Sequence, residues 1–166
     1  MNLTRIVSGG QTGVDRVALD WAITHQIAHG GWCPSGRLAE DGPIDDRYQL
    51  VEVPDGGGYR RRTKANVRDS DATLLITIDP ILMGGSKETA LFATRLGKPW
   101  LHVHPNMAWR SELMQWLAAV PISTLNVAGP RLSRSPEVVA FTWAVLDAVL
   151  EIMRGGDACA SSKGSA

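Results

Sequence analysis

Residues 72–78 read Ala-Thr-Leu-Leu-Ile-Thr-Ile, an unbroken apolar and β-branched run bounded by Asp71 and Asp79. A run without polar alternation is what a strand buried on both faces carries. Both faces must then be covered, which points to a parallel sheet between helical layers with 72–78 as its central strand. Other short apolar runs, Leu3 to Val7, Ile27 to Trp32, Gln49 to Val53, Trp100 to His104 and Ser123 to Val127, predict the remaining strands. Between them, helical periodicity follows Gly13, with Val14, Ala18, Trp21 and Ala22, and covers Tyr59 to Asp69, Lys87 to Leu96, Trp109 to Ala119 and Ser135 to Met153. The polar stretch from Ser35 to Asp46, with Gly36, Gly42 and Pro43, reads as a loop. Strand and helix alternating in this way predict one α/β domain over 1–154, Rossmann-like and doubly wound, with a mostly parallel sheet and helices on both faces. The small polar residues 155–166 read as a flexible tail.

Composition removes several function classes. Seventeen Lys and Arg balance seventeen Asp and Glu in 166 residues, so a generic electrostatic partner, whether nucleic acid or membrane, is not expected. The two cysteines, Cys33 and Cys159, make neither a disulfide framework nor a thiolate zinc site and suit a reducing compartment. The N-terminal residues lack a signal-peptide core, and no apolar stretch reaches the roughly 20 residues of a membrane helix. A cytoplasmic protein is expected.

In doubly wound sheets ligands bind beyond the carboxyl ends of the strands, so the loops after Val7, Ile78 and His104 are expected to share one crevice. The first is Ser8-Gly9-Gly10-Gln11-Thr12-Gly13, where glycines let backbone N–H groups approach an anion at a helix N-terminus. It matches neither a P-loop nor the dinucleotide GxGxxG pattern, and a tight turn capped by Thr12 or Asp15 is the plain structural alternative. Gly84-Gly85-Ser86-Lys87-Glu88-Thr89 repeats the logic after the apolar run, with Lys87 at the helix end where a cation is unfavourable unless an anion answers it. Arg61, Lys64 and Arg68 fall at i, i+3 and i+7 on one helical face, with Arg62 and Asn66 beside them. Trp32 offers a flat face, Cys33 a soft sulfur and Arg37 a fork-shaped anion donor. His102 and His104 alternate on a strand, without an evident third metal ligand. Glu40 and Asp41 read equally as acid/base groups or as salt-bridge formers, and Asp69 and Asp71, at the amino end of the apolar run, as structural.

The stretches SGGQTGVDR, HGGWCPSGRLAEDGPI, RYQL, RTKANVRDSDATLLI and GGSKETA, in this order from about Ile6 to His104, resemble the family of molybdenum carrier proteins. That family is similar to molybdenum-cofactor carriers, within a wider Rossmann-like group that includes the lysine-decarboxylase-like phosphoribohydrolases. The resemblance implies a non-catalytic carrier of molybdenum cofactor, a phosphorylated pterin, with the phosphate on the two glycine loops. By position it assigns Gly9, Gly10, Gln11, Thr12 and Gly13 to the first loop, Gly84, Gly85 and Thr89 to the second with Ser86 and Lys87 between them, and Arg62 and Arg68 to the RTxxNVRDSD motif. Trp32 would cover the ring and Arg37 meet an anion. No catalytic residue and no resident metal is assigned.

The phosphoribohydrolase relatives carry GGxGTxxE, and this chain has Lys87, Glu88 and Leu91 where that pattern wants Gly, Thr and the acid, so that machinery looks absent. The other readings are an enzyme acting on a nucleotide or nucleotide-sugar, with Asp15, Glu40, Asp41 or Glu88 as its acid/base group, and a nucleotide-sensing module. A homo-oligomer is expected, with a molybdoenzyme or cofactor-synthesis protein as a partner.

Overall fold

The computed structural model describes residues 3–160. Six parallel strands, β1 (Arg5–Val7), β2 (Ala28–Cys33), β5 (Leu50–Glu52), β6 (Ala72–Ile76), β7 (Trp100–Val103) and β8 (Thr124–Ala128), form one sheet in the order β5-β2-β1-β8-β6-β7. Helices α1 (Val14–Thr24), α4 (Trp109–Ala119) and α5 (Val138–Ala160) pack on one face, and α2 (Tyr59–Arg68) and α3 (Gly84–Arg95) on the other. This is the α/β, Rossmann-like domain that the strand-helix alternation predicts.

Period-two alternation along the strands divides the core. Ile6, Leu74, Ile76, Leu125 and Val127 project into the larger cluster, where Trp21 of α1 and Val145, Leu146 and Val149 of α5 meet them, all buried. On the opposite face a smaller cluster joins Val67 of α2 to Phe92 and Ala93 of α3.

Four elements differ from the sequence reading. All five residues of β6 are buried, yet β6 lies one place from the edge, between β8 and β7. The apolar run encodes burial on both faces and says nothing of neighbour order; the chain makes β6 and β7 and then returns to insert β8 between β1 and β6. Helix α3 starts at Gly84, so both glycines and Ser86 belong to its first turn and not to the loop before it. The loop expected over 35–46 contains a small hairpin, β3 (Leu38–Ala39) against β4 (Gly42–Pro43). Helix α5 continues to Ala160, into the stretch expected as an irregular tail, and residues 161–166 lie outside those described.

The inserted strand fixes the site. The loop leaving β8 lies against the loop leaving β1: a Cβ on Gly13, whose φ is +78°, would stand 2.4 Å from the Pro130 carbonyl oxygen and 2.8 Å from the Leu132 nitrogen. Only a glycine fits so close an approach of two backbones.

Candidate functional site

Loop 8–13 leaves the carboxyl end of β1 and is tied down on both sides of the sheet. The Ser8 hydroxyl donates to the Val127 carbonyl at 2.7 Å, fixing the loop to β8. Arg62, from the first turn of α2, lays its guanidinium where a Gly9 side chain would be, with Nη1 1.7 Å from an ideal Cβ position. From there Nη1 reaches Asp15 Oδ2 of α1 at 2.9 Å, so a largely buried ion pair joins helices from opposite faces across the rim of the sheet. Burial pushes the Asp15 carboxyl above its ordinary value, while the Arg62 guanidinium and the backbone N–H groups of Gln11 and Gly9 pull it back.

The hairpin β3/β4 closes over this loop. Gln11 Oε1 accepts the N–H groups of Thr12 at 3.0 Å and of Glu40 at 2.9 Å. Glu40 is a staple: its carboxylate accepts from the Thr12 hydroxyl, from Ser133 N at 3.1 Å and from Ser133 Oγ at 2.6 Å. Those hydroxyls hold it below the usual carboxylate range. Asp41 pairs with Arg16, which also donates to the Gly10 carbonyl at 3.1 Å, and that pairing lowers the Asp41 carboxyl. Around the loop, Gln11 Nε2, Arg16 Nε and Arg62 Nε are buried N–H donors without an acceptor, and Asp15 Oδ2, within ion-pair range of Arg62, is a buried acceptor without a hydrogen bond. Unanswered buried polar groups are costly.

The second glycine segment opens α3. Its N-cap, Met83, has no capping side chain, and ideal Cβ atoms on Gly84 and Gly85 would meet nothing within 4 Å. The N-terminal N–H groups of α3 therefore face open space with the helix dipole behind them. Ser86 and Thr89 are buried; the Thr89 hydroxyl donates to the Gly85 carbonyl at 2.8 Å. Lys87 is exposed. Arg60 joins α2 to α3 through Glu88 at 2.7 Å, so the first turn of α2 bridges loop 8–13 and the start of α3.

Three sequence candidates lie elsewhere. Arg37, with φ +51°, donates to the carbonyls of Ile44, Leu50, Asp45 and Tyr48 at 2.9–3.2 Å and thereby shapes the chain from 37 to 50. Its fork holds backbone where an anion was expected. The Trp32 indole N–H donates to Asp69 Oδ2 at 2.7 Å, and Arg68 pairs with the same carboxylate at 2.6 Å. Both line the outer flank of α2, in a cavity without any residue of 8–13 or 84–89. Asp71 accepts N–H groups from Ser123 and Thr124 at 2.9 and 2.7 Å, the structural role its position suggests. Cys33 is fully buried beside Leu19, Ile44, Tyr48 and Leu50, and burial pushes its thiol up. The His102 and His104 rings lie 5.3 Å apart, tilted by 47°, with His102 Nε2 2.6 Å from the Thr77 hydroxyl. Among the described residues no three His, Cys, Asp or Glu side chains are grouped to hold a metal.

Arg131 and Ser133 were not legible as site residues. They reach Glu40 from more than ninety positions away, the Leu132 N–H between them donates to the Thr12 hydroxyl, and no local pattern marks them.

A six-stranded parallel sheet between two helical layers defines the class of Rossmann-like α/β domains. Within that class the chain belongs to the circularly permutated YpsA SLOG family, whose model matches residues 6–150. It is similar to the Putative molybdenum carrier protein of Syntrophus aciditrophicus SB, known from a crystal structure at 1.45 Å resolution. The two are 45% identical with a TM-score of 0.84, over 89% of this chain and 95% of that one. No curated protein matches. No helix among the described residues is long and apolar enough to cross a membrane.

Proposed function

We propose that the chain binds a phosphorylated heterocycle in the crevice between loop 8–13 and the first turn of α3, and that it holds and passes on this cargo. Molybdenum cofactor is the cargo to which the sequence resemblance and the name of the similar protein from Syntrophus aciditrophicus point. The observation that carries the reading is the exposed, uncapped start of α3 at Gly84 and Gly85, on the same sheet edge as loop 8–13. A helix N-terminus with room beside it receives a phosphate or another anion. Gly9 to Gly13, Arg62 and Gly84 to Thr89 would hold it.

The candidate acids support holding over turnover. Glu40, Asp41 and Glu88 are each engaged by hydroxyls or arginines, and the first two are held ionised. Asp15 alone is shifted upward, and its carboxylate is spent on Arg62. Partners follow from the role: a donor and an acceptor of the cofactor.

Gly85→Val tests the cradle because its side chain enters open space and leaves the fold intact. Calorimetric titration with molybdenum cofactor should show affinity reduced about tenfold or more. Unchanged affinity in this variant would remove the second loop from the site.

A further inference from the structure

The Arg61, Lys64 and Arg68 face of α2 has no part in the crevice. It borders a cavity of about 340 Å³ on the flank of the sheet, floored by Trp32, Val53 and Pro54. Parallel sheets are normally covered on both faces, but α2 stops short of the edge strand, and Val51, the register partner of Trp32, remains 57% exposed. The floor is therefore apolar, with Trp32 and Pro54 reaching solvent over a buried Val53, and the wall beside it is cationic.

The charges at the start of that wall stand against local stability, whereas Arg68, in the last turn, suits the helix dipole. Arg60, Arg61 and Arg62 crowd the first turn of α2, which has no acidic residue, and cations are unfavourable at that end of a helix. Arg60 is answered by Glu88 and Arg62 by Asp15. On the flank, Arg61 donates to the Pro54 carbonyl at 3.1 Å and meets the exposed Asp55 at 3.7 Å, Arg68 pairs with Asp69 through two nitrogens at 2.6 and 2.8 Å, and Lys64 forms no ion pair among the described residues. Like charges one turn apart also repel. From Arg61 to Arg68 the row spans about 10 Å, enough for a short chain of anionic groups beside a flat ring.

We propose that this flank is a second ligand site, separate from the crevice, for a small planar ring compound that carries phosphate or carboxylate groups. The ring lies on Trp32 with Val53 and Pro54 at its edge, and the anionic groups run along Arg61, Lys64 and Arg68. The volume falls within the lower part of the range for small-molecule pockets, and an apolar floor with a few convergent charges is their usual lining. Trp32 is held for the task, since its N–H is fixed on Asp69 and its backbone is clamped by Asn66 at 2.7 and 3.0 Å.

The test is an NMR titration of the full chain, free of divalent cations, with ATP, tripolyphosphate and adenosine as probes, following the Trp32 indole N–H and the amides of α2. ATP should shift the Trp32 and Lys64 signals saturably and bind about tenfold tighter than tripolyphosphate or adenosine. Lys64→Glu, an exposed change, should weaken ATP about tenfold, and Gly85→Val should leave these shifts unaltered. Equal binding of ATP and tripolyphosphate would reduce the flank to a nonspecific anion patch and overturn the proposal. So would shifts confined to 8–13 and 84–89, or no saturable shift up to about 5 mM. Because the crevice reading is tested at Gly85 and this one at Lys64, either can fail alone.

Discussion

At the scale of single residues, the site depends on a few positions whose roles are opposite despite similar chemistry. Gly13→Ala would drive a Cβ into the backbone of 130–132 at a positive φ, so the urea midpoint should fall by the equivalent of about 2 kcal/mol or more. Gly85→Ala, in open space and at an ordinary helical φ, should instead raise stability by about 0.5–1 kcal/mol. Arg62→Met should cost about 3–5 kcal/mol, since it strands the buried Asp15 carboxylate. Equal stability of wild type and Arg62→Met would mean that the pair is not what joins α1 to α2. The glycines were legible in the sequence as loop formers, but not which of them are held by neighbours and which face open space. That difference depends on Pro130, Leu132 and Arg62, which only the fold brings near. Arg37 shows the same limit: its fork was legible as a hydrogen-bond donor to an anion, and the tertiary structure directs it to four carbonyls.

At the scale of elements, the hairpin β3/β4 is fastened to the rim by side chains at both of its turn residues, Glu40 and Asp41. Glu40→Ala should speed amide exchange together in 38–43 and 131–134, with the helical circular dichroism unchanged; exchange rising in one segment alone would contradict the staple. A second fastening lies at the opposite end of the sheet, where Asp71 accepts from Ser123 and Thr124 and these bonds hold its carboxyl below the usual range. A lowered folded value means that this contribution is complete above the unfolded carboxyl's range and is lost as pH falls through the folded one. Between about pH 6 and pH 3, the urea midpoint of Asp71→Asn should therefore decline less steeply than that of the wild type. Parallel decline would remove Asp71 from the acid response. Apart from the far end of α5, helices and strands were legible within a few residues because periodicity and breakers are local. The hairpin was not, because two-residue strands carry no period.

At the scale of the whole molecule, one sheet with two helical layers places loops from β1, β8 and β6 on a single edge. The fold class was legible from strand-helix alternation, and the strand order was not, because insertion of β8 between β1 and β6 leaves no mark in hydropathy. Leu146→Ala, which empties a fully buried site where α5 meets the sheet, should cost about 2–5 kcal/mol and shift every spectroscopic probe together. Separate transitions for the two helical layers would show that the layers do not fold as one unit.

The carrier reading is tested most directly by native mass spectrometry of gently purified protein, titrated in parallel with molybdenum cofactor and a panel of nucleotides. One pterin phosphate retained or taken up saturably per chain, lost in Gly85→Val and kept in Lys64→Glu, is the expected result. Nucleotide uptake abolished by Gly85→Val, with no affinity for the pterin, would contradict it and turn the crevice into a nucleotide site.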